Sequence, residues 1–358
     1  MTQPSAARIL SEAAIKGLIA ASADNPLGLA SLAATMLGRG DQVRATALAR
    51  RAIMLAPGDG DVVTLARRVL SRKVPSWHFG IVQDEARNRA YDAALRRAVG
   101  PDSRVLDIGA GTGLLAMMAA RAGAGAVVSC EMSPPVADAA TEIVALNGYA
   151  DRVRVVAKKS TDLTPDDVGG RVDVIVSEIV SNELLMEGPL PAMADAVPRL
   201  LKPGGRVIPS HGAIRVALAW HPRARSRRMD TIEGFDMTPF NRLAATSRRL
   251  KVGDPELALR SAPATLFDFD FASGGPYRDE KAGVALTATG GSINGIVQWI
   301  WLRLDAEGTY ENQPEPGATS CWAALFTAFD ADIDPAPGTV IQVHGAHRVT
   351  HVRIWADV

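Results

Sequence analysis

The chain has 358 residues, 47% of them hydrophobic, with 39 basic and 39 acidic side chains that cancel to a formal charge of zero. That length allows two domains, or one large domain with a smaller attachment; zero net charge argues against bulk nucleic acid as a partner, and the apolar content excludes intrinsic disorder. Its two cysteines, Cys130 and Cys321, cannot build a disulfide framework or a four-thiolate zinc site, so a reducing, cytoplasmic setting is expected.

The first residues, MTQPSAARILSEAAIKGLIAAS, are interrupted by Arg8, Glu12 and Lys16 and lack a cleavable apolar core. No stretch approaches the roughly 18 apolar residues of a membrane helix, so no membrane partner is expected. Residues 1–72 are rich in Ala, Leu and Arg at helical spacing, with helices expected near 5–22 and 61–71. Between them Leu29, Leu32, Ala33, Met36, Gly40, Ala45, Ala49, Ala52 and Pro57 form an ordered series. Small residues let two antiparallel helices approach, Gly40 turns the chain and Pro57 stops the second helix, which resembles one tetratricopeptide repeat. A plain helical hairpin of small residues reads the same way. Either form needs a surface to pack on, because one repeat cannot bury its own face.

Residues 73–209 alternate short apolar runs with helical stretches. Strands are expected at 104–108, 126–131, 153–157, 172–177 and 206–208, and helices at 84–98, 113–122, 134–146 and 189–200. That alternation predicts an α/β, doubly wound parallel sheet. From 210 to 358, runs at 213–220, 264–272, 283–289, 293–304, 322–330, 339–343 and 349–355 predict an antiparallel, barrel-like β domain. The piece 223–249 reads as a helical arm inserted in it.

The first strand of the middle region runs into Asp107-Ile108-Gly109-Ala110-Gly111-Thr112-Gly113 and then a helix. The glycines let the backbone bend sharply and approach a ligand at the helix start. Their Gly-x-Gly-x-Gly spacing lacks the longer second gap of the dinucleotide fingerprint. Glu131 closes the next strand, where one carboxylate can accept both hydroxyls of a ribose. Together these residues resemble the S-adenosylmethionine site of class I methyltransferases.

After the fourth strand comes Ser177-Glu178-Ile179-Val180-Ser181-Asn182-Glu183-Leu184-Leu185-Met186-Glu187-Gly188. Acids at a strand end of an open α/β sheet are costly unless a cation meets them. Glu178 and Glu187, nine residues apart, can fold back as a hairpin and grip one planar cation, and a guanidinium suits two carboxylates better than an ammonium. The motifs FGIVQDEARNRAY, VLDIGAGTG, SCEM, AKKSTDL, VSEIVSNELLMEG and LKPGGRVIP, in that order, resemble the protein arginine methyltransferases. The likeness spans about 75–358 and is nearest to the branch of family member seven and its tetratricopeptide-bearing relative.

The resemblance implies S-adenosylmethionine as cofactor and methyl transfer to guanidino nitrogens of protein arginines, with no metal. It implies that Arg87 holds the methionine carboxylate. Asp107, Gly109, Gly111 and Gly113 would line the methionine end, Glu131 and the adjoining Met132 the ribose, and Lys159, Ser160 and Thr161 the adenine. Ile81 falls where the family has a methionine against the reacting atoms. Glu178 and Glu187 would be the catalytic clamp, Glu178 also bordering the cofactor, with Glu183 a structural acid. A homodimer through the arm is implied as well.

One stretch departs from the family. Its Thr-His-Trp loop is Thr319-Ser320-Cys321-Trp322 here, with Ala324 where a glutamine is common. Trp322 is expected to stack on the acceptor's flat cation, and Cys321 to fill the substrate side passively, since nothing charged nearby in sequence would activate its thiol. Loss of the imidazole removes any proton relay through it. It leaves open a small guanidino, amine or peptide acceptor, and an inactive cofactor-binding interaction protein. His344, His347 and His351 fall on alternating faces of a β region without matching Cys or acids, and do not make a zinc site. His78 either lines the mouth of the site or is an ordinary packed histidine.

Overall fold

The computed structural model describes residues 11–358 apart from Lys73, Arg227 and Thr246. The helix expected near 5–22 begins at Glu12, and the 5–10 part of that expectation lies outside the described residues. Four helices open the chain: α1 Glu12–Ala21, α2 Pro26–Gly38, α3 Gln42–Leu55 and α4 Gly60–Ser71. Each begins at a side-chain cap, Ser11, Asn25, Asp41 and Asp59 accepting first-turn N–H groups. Gly40, at φ +84°, makes the left-handed turn between α2 and α3. Leu29, Ala33, Met36, Ala45, Ala49, Ala52, Val62 and Ala66 close a core of their own. The group docks through Arg50, which pairs with Asp138 and Glu142.

A short α5 (Trp77–Ile81) and α6 (Glu85–Ala98) lead into β1 Arg104–Ile108, α7 Leu114–Arg121, β2 Ala126–Cys130, α8 Pro134–Leu146, β3 Val153–Val156, β4 Val172–Ser177, α9 Pro189–Leu200 and β5 Leu201–Ile208. Asp138 and Glu142 thus lie on α8. The five strands form a parallel sheet in the order β3-β2-β1-β4-β5. Chain direction across the sheet reverses between β1 and β4, which is where such sheets open a crevice at their carboxyl ends. Near-continuous burial of Val105, Leu106, Ile108, Val174, Ile175 and Val176 fits a sheet covered on both faces. The last strand starts at Leu201, five residues before the expected 206, with a register irregularity opposite Val172 and Val174.

The remainder is antiparallel: β6 His211–Trp220, β7 Thr231–Ile232, β8 Phe235–Asp236, β9 Ser247–Leu250, β10 Ala258–Leu259, β11 Ala264–Asp270, β12 Glu280–Thr287, β13 Ile293–Arg303, β14 Thr309–Glu311, β15 Ala324–Ile333, β16 Val340–Arg348 and β17 His351–Ala356. β6, β13 and β15 are the centre of a seven-stranded sheet, and β12-β16-β17 form a second. Ile214, Val216 and Phe271 share one core with Leu184, Leu185 and Ile208 of the parallel half, so the two halves pack as one body.

The expected helical arm at 223–249 holds no α-helix among its described residues. Its described residues form the β7–β8 hairpin, a 3-10 turn over Thr238–Leu243, and β9. Glu233 and Gly234 turn at φ +50° and +84°, and Pro239 blocks helix propagation, which overrides the arginine-rich spacing that suggested a helix. No helix among the described residues is long and apolar enough to cross a membrane.

Candidate active site

A cavity of about 620 Å³ opens at the carboxyl ends of β1, β2 and β4. Gly109 and Gly111 form its floor at φ +88° and +53°. A Cβ at position 109 would lie 2.5 Å from Ile179 Cγ2, so only glycine lets β1 and the β4 loop close together there. The Glu131 carboxylate accepts N–H bonds from Gly111 (3.2 Å) and Ser133 (2.8 Å) and so ties the loop to the end of β2. A carboxylate has about four lone-pair sites, so two remain for a ligand. Met132, Lys159, Ser160, Thr161, His78 and Ile81 also line the cavity, with the His78 ring stacked on Trp77 at 3.9 Å. Desolvation lowers the His78 pKa against the pull of Glu131, which keeps the imidazole neutral.

Asp107 and Gly113 do not line the cavity, contrary to the sequence expectation. Asp107 is wholly buried beneath the loop, accepting the Ser129 hydroxyl at 2.7 Å, and burial pushes its pKa up to about 7. Gly113 caps α7 at φ +79° and faces Val144. Both set the loop's path from below.

Arg87 crosses the back of the cavity, its guanidinium donating to Glu178 Oε2 at 2.5 Å and to Asn88 Oδ1 at 2.6 Å. The side chains of this pair are each 5% exposed. Burial drives the Glu178 pKa up to about 8, with Glu187 adding to the rise and Arg87 opposing it. Arg87 Nε, Glu178 Oε1 and Ser133 Oγ are buried and have no partner. A buried polar atom left unpaired is costly, so these three atoms mark where a polar ligand completes the site.

The segment after β4 is a tight hairpin. Leu184, at φ +68°, donates to the Ser181 carbonyl at 2.8 Å, and Ser181 Oγ accepts from the N–H groups of Glu183 and Met186. A leucine held left-handed is strained, and full burial of Leu184 and Leu185 holds it there. The turn returns Glu187 to the cavity opposite Glu178. Burial and the Glu131 charge push Glu187 up to about 7. Glu183 points elsewhere, toward the charges of His351 and Arg249.

Trp322 and Cys321 do not line this cavity, and both line a second one. Trp322 is buried, its indole N–H bonded to the Val180 carbonyl at 3.0 Å, so it clamps the glutamate hairpin from behind. Ala323 N–H holds Asn182 Oδ1 at 2.7 Å beside it. Cys321 lies against Asp84, and burial with the Glu178 and Asp84 charges holds its thiol far above the usual range, protonated. Asp84, Ser133, Tyr310 and Thr350 were missed. Asp84 had a readable signal, an aspartate three residues before Arg87 at a helix start; the other three had none. The three C-terminal histidines part company: His344 bonds Asp357, His347 is wedged between Phe267 and Phe269, and His351 bonds Thr350.

An arginine N(omega)-methyltransferase from Streptomyces achromogenes subsp. streptozoticus is 36% identical to this chain over 282 residues, 77% of either protein. The chain belongs to the protein arginine N-methyltransferase family. Protein arginine N-methyltransferase 7 of Oryza sativa subsp. indica is 33% identical over 256 residues, which are 65% of this chain but only 35% of the rice protein. The model of the ribosomal protein L11 methyltransferase family matches residues 92–216. Among solved structures, the Trypanosoma brucei PRMT1 enzyme-prozyme complex with AdoHcy superposes with a TM-score of 0.68 at 24% identity, over 77% of this chain and 88% of that one. Arabidopsis thaliana protein arginine methyltransferase 10 gives 0.66 at 18% identity, over 80% and 98%. These two likenesses bear on the fold, in which this family joins a parallel sheet to an antiparallel domain. The chain is an N-methyltransferase with S-adenosylmethionine as its cofactor. The residues fit that group: two free lone-pair sites on Glu131, the unpaired Nε of Arg87 and the unpaired Ser133 hydroxyl answer its ribose, carboxylate and polar edge.

Proposed function

We propose that the chain methylates guanidino nitrogens of arginine residues in proteins. The observation that carries this reading is the pair Glu178 and Glu187 on one hairpin, both lining one cavity that Glu131 and Arg87 also line. Bound S-adenosylmethionine supplies a methyl already activated on a sulfonium. Glu131 takes the ribose hydroxyls beside Met132 and Arg87 the carboxylate, with Lys159, Ser160 and Thr161 around the base. Ile81 limits the space at the reacting atoms. Glu178 and Glu187 hold the guanidinium, and a cation between them offsets the burial and the neighbouring carboxylate charge that raise both pKa values. Their charge localises the positive charge on the nitrogens they face and leaves the third a better nucleophile. The rest of the task is alignment for in-line displacement.

A second reading is free arginine as acceptor. The Streptomyces relative is named for arginine itself. In addition, a cavity of about 500 Å³ lined by Cys321 also has Arg249 and Lys251 in its wall, a setting that suits a carboxylate. Labelled S-adenosylmethionine offered in parallel to a desalted protein extract and to L-arginine separates the two. Methylarginine in the protein hydrolysate supports the first reading, label on the free amino acid alone replaces it with the second, and label in neither sinks both.

The working division is a helical segment 1–72, a cofactor domain 73–209 and a substrate domain 210–358. The arm at 223–249 presents Met229, Ile232, Phe235, Phe240 and Leu243 to solvent. That apolar patch supports a homodimer in which the arm is covered by a second copy. Sedimentation of the wild type at twice the monomer mass, shifting to monomer with Phe235→Asp and Phe240→Asp together, is expected; a monomeric wild type contradicts it. Two free cysteines suit work in the cytoplasm.

A further inference from the structure

Where the family has an imidazole, this chain has Cys321, yet the carboxylate beside it accepts three hydrogen bonds. Asp84, 8% exposed, caps α6 by accepting the Arg87 N–H at 2.9 Å. Its other oxygen accepts the Cys321 N–H at 2.9 Å and the Tyr310 hydroxyl at 2.8 Å. Tyr310 comes from β14, and its oxygen also meets Ser320 Oγ at 2.7 Å, which in turn accepts the Trp322 N–H at 3.0 Å. The Tyr310 ring lies edge-on to Trp322, with ring centres 5.4 Å apart. The chain of contacts therefore runs from the antiparallel half, through one carboxylate, to the first turn of the helix that carries Arg87, and from Arg87 to Glu178. Burial keeps the Tyr310 hydroxyl and the Cys321 thiol protonated, so both remain donors over the whole working range.

We propose that Tyr310 is a positioning residue: its hydroxyl holds Asp84, and Asp84 holds Arg87 and Glu178 in register with the cofactor. The inference rests on the methyl-transfer reading for its purpose but not for its test. Arg87 has two jobs, one toward the cofactor and one toward Glu178. A looser Arg87 therefore weakens cofactor binding even when no acceptor is present.

The test is calorimetric titration with S-adenosylhomocysteine, which needs no acceptor and so stands apart from the identity of the methylated compound. Tyr310→Phe removes one oxygen and keeps the ring. A hydrogen bond to a charged group justifies an expected loss of about 10- to 100-fold in affinity. Cys321→His added to Tyr310→Phe should restore most of it, since an imidazole at that position offers Asp84 a new N–H. In an Asp84→Asn background Tyr310→Phe should change little, because the charge it served is gone. Unchanged affinity in Tyr310→Phe overturns the proposal, as does a loss that the added Cys321→His leaves untouched. If Tyr310→Phe does not fold, Ser320→Ala decides: a several-fold loss of affinity supports the proposal, and none overturns it.

Discussion

Glu178→Gln is expected to lower kcat/KM about a thousandfold, the scale on which losing a preorganised charge at the reacting group is felt. The amide keeps the shape and can still accept from Arg87, so the fold and the cofactor cradle should survive. Only the negative charge that meets the guanidinium is removed. The substitution should also change the pH response of the ligand-free protein. Glu178 and Glu187 titrate near 8 and 7 in the folded chain, against an ordinary 4.5. The folded state thus retains protons that the unfolded state has released, so the stability tied to these groups is complete below about 4.5 and is lost as pH rises through 7 to 8. Asp107, near 7, acts in the same direction. The wild type should therefore melt at a lower temperature at pH 9 than at pH 6, and Glu178→Gln should flatten that slope. Activity runs the other way, since guanidinium capture requires both carboxylates charged, and kcat/KM should climb over the same interval. A Glu178→Gln enzyme with wild-type turnover would remove the clamp from the mechanism.

Glu131→Ala should raise the dissociation constant for S-adenosylmethionine by about 100-fold or more, with kcat at saturating cofactor much less affected. The carboxylate serves twice. It fixes Gly111 and Ser133 through their N–H groups and has two lone-pair sites left for the ribose hydroxyls. Hydrogen bonds to a charged group contribute about 1.5–3 kcal/mol each, so losing two accounts for a drop of that size. The contrast with Glu178→Gln is the point of the pair: one variant loses binding of the donor and the other loses turnover. Equal effects of Glu131→Ala on both would mean that Glu131 acts on the reacting groups and not on the ribose.

The parallel half of the fold was legible because its strands are continuous apolar runs separated by helices with clear starts and stops. Val105–Ile108 and Val172–Val176 read as buried strands in the sequence and are buried in the structure. The antiparallel half was legible in outline only. Strands of two to four residues such as β9, β10 and β14 are too short to show a period of two. At 223–249 the basic and apolar spacing suggested a helix, while Gly234 and Pro239 decided otherwise. Within the site, residues that act from a single strand end, Gly109, Glu131 and Glu178, could be found by position along the chain. Those that act by meeting a distant segment could not. Tyr310 and Asp84 are 226 residues apart and are brought together by the docking of the antiparallel half. Trp322 shows the converse limit: an aromatic side chain in a substrate loop can serve the substrate or the scaffold, and only its bond to the Val180 carbonyl assigns it to the scaffold.

The measurement that bears most directly on the clamp is transfer of labelled methyl from S-adenosylmethionine into a total cell extract, with wild type and Glu178→Gln in parallel and the labelled amino acid identified after acid hydrolysis. Label in methylarginine with the wild type alone is the expected result. Label on any other amino acid, or equal methylarginine from both proteins, would contradict a guanidinium held between Glu178 and Glu187.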